Sequence, residues 1–129
     1  VGQVRAHGIT QIAIFGHSHG GGSTHDLANV LDGDRAFIGA FTIQYTAYLD
    51  AISNNSEFAV VRENNLPPGT LFHSNLYQTG GGWLGDPIVA GAENVDVTNW
   101  NGGIAHGEID DDPDVYSLIR SRLENRVER

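Results

Sequence analysis

Cysteine is absent from the 129 residues, which excludes disulfides, thiolate catalysis and cysteine-bound metal sites together. The absence leaves the compartment open, because a secreted domain of this size can do without bridges. No apolar run approaches the roughly 20 residues that a membrane-spanning helix needs, so no transmembrane helix is expected. The opening stretch VGQVRAHGITQIAIF lacks the charged-then-apolar layout of a secretory signal. Positive charge is scarce: 7 Lys and Arg stand against 16 Asp and Glu, for a net charge of −9. Beyond the arginines near the C-terminus there is no basic cluster. So acidic a surface repels phosphate backbones, and nucleic acid is not an expected partner.

What is present reads as one ordinary domain. With 40% hydrophobic and 18% charged residues the chain can bury a real core. It shows no internal repeat and no linker long enough to divide it. The 17 glycines gather at 20–22, 80–82 and 102–103, where the backbone is expected to turn sharply or approach something closely.

Hydrophobic patterning gives an order of elements. Val1 to His7 fits the last turns of a helix capped by Gly8. Ile9 to Phe15, ITQIAIF, is a short β-branched apolar run and reads as a buried strand. From Ser23 the run STHDLANVLDG reads as a helix, capped by Ser23 or Thr24, with Leu27, Val30 and Leu31 as its apolar stripe and Gly33 as its end. Phe41 to Leu49, Leu71 to Gln78 and Glu93 to Thr98 are three further strand candidates. Residues 53–69 read as a loop. Asp110, Asp111 or Asp112 caps a final helix with Pro113 in its first turn and Val115, Leu118, Ile119 and Leu123 on its buried face. Strands alternating with helices argue for the α/β class, a mainly parallel sheet flanked by helices.

The chemical signal is Gly16-His17-Ser18-His19-Gly20, set directly after an expected strand and directly before an expected helix. That is the G-x-S-x-G pattern in the context that gives it meaning. A turn this tight strains the serine backbone and lifts its hydroxyl to the C-terminal edge of the sheet. Gly16 and Gly20 are expected to leave room where side chains would collide. The His19 N–H then points to where an oxyanion would form, near the positive end of the helix.

The stretch ITQIAIFGHSHGGGSTHDLANVL resembles the nucleophile elbow of lipase- and esterase-like α/β-hydrolases. The resemblance implies a serine hydrolase of carboxylic esters, with no cofactor, a small-molecule ester as substrate and Ser18 as nucleophile. A neutral hydroxyl needs a base within hydrogen-bond reach and a carboxylate to orient that base. The family's chain order of nucleophile, acid, histidine implies Asp50, which closes the strand TAYLD, and His106, in the glycine-rich loop before the last helix. Asp86 is the rival acid; His73 and His25 are rival bases. His73 lies inside an expected strand, and His25 on the helix after the elbow, where exposure is expected. His17 is assigned to lining the substrate cleft.

Two readings from other classes stand beside this one. His17, His19 and His25 offer a histidine-ligated metal hydrolase, but glycines occupy the positions where an Asp-His pair would complete that pattern. A non-catalytic fragment that serves as a subunit is the other. Tyr45, Tyr48, Tyr77, Trp83 and Trp100 fit either an acyl pocket or sheet packing and remain unassigned. The resemblance covers nearly the whole chain but only the C-terminal half of the family's domain, which implies a truncated fold lacking the N-terminal strands and the loop that gives the second oxyanion donor. A strand Ile9 to Phe15 unpaired on one side is an exposed apolar edge, so a homo-oligomer, most simply a two-fold dimer, is expected there.

Overall fold

The computed structural model describes residues 4, 6–52, 62–85 and 88–127. Four strands, β1 (Gln11–His17), β2 (Thr42–Leu49), β3 (His73–Tyr77) and β4 (Glu93–Asp96), form one sheet in the order β1-β2-β3-β4. Every neighbouring pair is parallel. Helix α1 (Gly20–Gly33) follows β1, the short helix α2 (Arg35–Ile38) leads back to β2, and α3 (Pro113–Glu124) ends the described order. This is an α/β architecture; three of the expected strand runs contain β2, β3 and β4, while β1 starts inside the run Ile9 to Phe15 and continues two residues past it to His17. Parallel strands need covered faces, and here helices cover both.

Register explains which residues face which helix. The β1–β2 ladder pairs Ile12 with Ile43 but Ala13 with Tyr45, so Gln44 is an extra residue on β2. A bulge reverses the in–out alternation beyond it. Ile43 accordingly joins Ile12, Ile14, Ala28, Leu31, Ile38 and Phe41 on the α1 side. Tyr45, Ala47 and Leu49 face the other way and pack with Leu76, Val97, Ile104, Ile109 and Val115.

The last helix forms as its sequence suggests. Asp112 is its N-cap, accepting the amides of Asp114 (2.9 Å) and Val115 (3.1 Å), with Pro113 in the first turn. Such a cap contributes about 1 kcal/mol. Val115 is buried, and Leu118, Ile119 and Leu123 pack against the core cluster. Arg122 grips Glu93 of β4 through three contacts of 2.6–3.1 Å. Among the described N-terminal residues, Val4 and Ala6 are helical and Gly8 has φ 61°.

Helix α1 departs from expectation on its face and at its start: of the expected stripe only Leu31 is buried, joined by Ala28, while Leu27 and Val30 are exposed. It begins at Gly20, three residues before the expected cap, with His19 as N-cap residue and no side-chain cap bond. The strand feeds into the helix through Ser18 and His19 alone, and His19 at the cap position already has helical backbone angles (φ −60°, ψ −18°). Tight seating on the sheet replaces a side-chain cap: a Cβ at Gly21 would run into the Ala51 side chain.

Candidate active site

β1 and β2 end level with each other, with His17 paired to Leu49. The next residue on each is Ser18 and Asp50, with φ of 56° and 45°. Both occupy the left-handed region that non-glycine residues seldom adopt, and such outliers mark sites where the surroundings enforce a strained backbone. The enforcing bonds are visible: the Ser18 N–H donates to the Leu49 carbonyl at 3.0 Å, and the Asp50 N–H donates to the Leu76 carbonyl at 2.7 Å.

Gly16 permits the turn. A Cβ there would run into the Gly20 carbonyl and the Thr24 hydroxyl. Gly20 itself is different: a Cβ on it would meet nothing within 4 Å. The close approach expected at Gly20 is made instead by Gly21, on Ala51, and by Gly22, on the Glu63 carboxylate.

His106 reaches this edge from the loop after β4. Its Nε2 lies 2.8 Å from the Ser18 Oγ, and its Nδ1 lies 2.7 Å from Asp50 Oδ2. Asp50 is fully buried. Its carboxylate also accepts from Gln78 Nε2 (2.8 Å), the Gly85 amide (2.8 Å) and, more weakly, the Gln78 amide (3.3 Å). All of these partners donate, which suits an ionised carboxylate and offsets the cost of burying it. An acceptor at Nδ1 places the imidazole proton there, leaving the Nε2 lone pair to accept the Ser18 hydroxyl proton. Serine, imidazole and carboxylate in this relay can activate an alcohol nucleophile, protonate a leaving group and stabilise the imidazolium formed between those events.

Further residues shape the site. Gln78, fully buried, bridges Asp50 and the Trp83 carbonyl (2.5 Å) with its Nε2, while its Oε1 accepts the Gly80 amide at 2.9 Å. His17 braces the His106 loop: its Nε2 donates to the His106 carbonyl at 2.7 Å and its Nδ1 lies 3.3 Å from Asp110 Oδ2. The imidazoles of His17 and His106 are 4.9 Å apart, centre to centre, and the Trp83 ring stacks on His106 at 6.0 Å. Neither Gln78 nor the brace stands out in the sequence. A polar residue closing the strand beside the strand of the acid is the one signal that points to Gln78.

The rival residues lie elsewhere or outside view. His73 is buried in β3, where desolvation pushes its imidazole down to about 4 against the opposing hydrogen bond with Thr46. His25 is half-buried rather than exposed, and desolvation lowers it too. Asp86 lies outside the described residues. Among the described residues no group of three or more His, Asp and Glu side chains is arranged to hold a metal ion, and His17, His19 and His25 make no such group. No described helix is long and apolar enough to cross a membrane.

The fold and site thus define an α/β protein with a serine–histidine–aspartate relay at the C-terminal edge of a parallel sheet. No protein-family model, curated protein or solved structure matches the chain.

Proposed function

We propose that the chain is a serine hydrolase of carboxylic esters built on the C-terminal half of an α/β-hydrolase fold. The carrying observation is the continuous relay from Ser18 Oγ through His106 to buried Asp50, at 2.8 and 2.7 Å, set on a strand–turn–helix elbow. His106 Nε2 takes the Ser18 proton as Oγ bonds to the ester carbon, and the carbonyl oxygen becomes an oxyanion. His106 then gives that proton to the alcohol oxygen as the ester C–O bond breaks, leaving an acyl-serine. Water repeats the sequence: its proton passes to His106, its oxygen bonds to the acyl carbon, and the Ser18 Oγ departs with the proton. Every proton moves among Ser18, His106, alcohol and water, so this scheme calls for no cofactor. The His19 amide, at the N-terminal end of α1, is assigned to the oxyanion; one such donor is worth about 2.7–4 kcal/mol in the transition state.

We also assign the outer edge of β1 to a second copy of this chain. β1 is the edge strand, with no strand beyond it among the described residues. Its segment QIAIF is uncharged and Phe15 is exposed. Two such edges related by a two-fold axis would satisfy each other's N–H and C=O groups.

The test is covalent labelling by a fluorophosphonate together with turnover of a p-nitrophenyl ester series. The wild type should be labelled and active, and Ser18→Ala should be neither, with unchanged circular dichroism. Turnover by purified Ser18→Ala, or a folded wild type that is neither labelled nor active, would overturn the serine mechanism. Activity abolished by a chelator would favour the metal reading.

A further inference from the structure

We propose that Trp83 is the recognition surface for the alcohol part of the ester, and that the site prefers esters of aromatic alcohols. This rests on the serine-hydrolase reading and names the substrate class within it. Catalysis itself supplies the direction of the argument. His106 must hand its proton to the leaving oxygen, so the alcohol group sits within hydrogen-bond reach of Nε2 as the C–O bond breaks. A side chain packed on the His106 ring is therefore a neighbour of the alcohol.

Trp83 is that side chain. Its ring stacks on the His106 imidazole with 6.0 Å between centres and 27° between planes, yet 62% of the residue is exposed. Large rings left open to water beside a reactive group are unusual, because burying one removes 150–250 Å² of largely apolar surface, as a rough range. The adjoining Leu84 is exposed as well.

The backbone that carries the ring is tied down. The Trp83 carbonyl accepts from Gln78 Nε2, the Gly85 amide donates to Asp50 Oδ1, and the Gly80 amide donates to Gln78 Oε1. Segment 80–85 is thus tied at three points to the same buried carboxylate–amide pair that orients His106. Gly85 is needed for this approach, since a Cβ there would lie 2.7 Å from Asp50 Oδ1. An exposed aromatic surface anchored to the acid of the relay is a preorganised receptor for a flat apolar group. Offset stacking on a planar alcohol favours an aromatic over a small alkyl group.

The experiment compares kcat/KM for the benzyl and ethyl esters of one short acid, whose alcohols are similar in acidity. The wild type should favour the benzyl ester by about tenfold, the scale of a stacking contact plus its burial. In Trp83→Ala that ratio should collapse towards one, while Trp83→Phe should keep most of it. A ratio unchanged in Trp83→Ala, with both rates lowered together, would overturn the recognition role even though Ser18 still labels with a fluorophosphonate. A folded wild type that neither labels nor turns over either ester would remove the hydrolase reading and this inference with it.

Discussion

Ser18 and Asp50 leave two adjacent parallel strands at the same level, one residue beyond the paired His17 and Leu49, and both do so in the left-handed backbone region. Two strained residues side by side present a hydroxyl and a carboxylate at one edge, with room between them for the His106 ring. The strain at one is partly enforced by the other strand, because the Ser18 amide and carbonyl bond to Leu49 and Ile52 on either side of Asp50.

Asp50→Asn should separate orientation from mere occupancy. The amide keeps the size of the side chain but can donate to His106 Nδ1, which moves the imidazole proton to Nε2 and removes the acceptor facing Ser18. We predict a fall in kcat of about 10⁴-fold, the scale of the same change in a Ser-His-Asp triad, with fluorophosphonate labelling slowed in step. Ester kinetics within tenfold of wild type would show that Asp50 does not orient the base.

The glycines of the elbow should respond unequally. Gly16→Ala drives a methyl group into the Gly20 carbonyl and should abolish soluble folded protein or displace Ser18. Gly20→Ala meets open space in the first turn of α1, so it should fold normally and gain up to about 1 kcal/mol of helix stability. Urea melts of both variants check this; equal damage from the two would contradict the packing described.

His73 predicts a pH dependence of stability unrelated to catalysis. Burial holds it near 4 in the folded protein, against 6.5 when exposed. Its folded value is lowered, so the stability it contributes is complete above about pH 6.5 and is lost as pH falls towards 4. The loss totals about 3 kcal/mol, since each tenfold difference in proton affinity between folded and unfolded chain is worth about 1.36 kcal/mol. His73→Asn should flatten the urea midpoint between pH 6.5 and 4 relative to wild type. Parallel pH profiles for the two proteins would rule out His73 as the source.

Light scattering checks the pairing of β1. A chain of 13.9 kDa should run at twice that mass at micromolar concentration, and Phe15→Lys, which places a charge at an exposed position of the edge strand, should shift it to monomer. A well-folded wild-type monomer would leave the β1 edge without the proposed partner.

The legible parts of the molecule are those written locally. The first two strands are marked by runs rich in β-branched and aromatic residues, the other two by shorter runs, and Asp112-Pro113 announces the last helix because cap and first-turn chemistry are contiguous. The start of α1 falls three residues ahead of its expected cap, since Ser23 and Thr24 look like caps while the elbow begins the helix without one. The bulge at Gln44, the donors of Gln78 and Gly85 to Asp50, and the His17 brace join residues tens of positions apart, and no spacing rule encodes them. The four-residue helix α2 carries too little periodicity to be seen. Gly20 illustrates the limit most clearly: the motif singles it out, but the close contacts fall on Gly16, Gly21 and Gly22.

The relay also sets a timetable for the nascent chain. Strands β1 to β4 add to the sheet in the order in which they are synthesised, so the sheet can assemble progressively from neighbours. His106 is 88 residues from Ser18 and 56 from Asp50, and such distant closures are slow and come after local ones. An incompletely translated or half-refolded chain would already display the elbow serine and its acid, yet would lack the base that makes the hydroxyl reactive. Reactivity would thus arrive with the final docking of the tail, and recovery of ester turnover after dilution from denaturant should lag behind recovery of the sheet's far-ultraviolet signal.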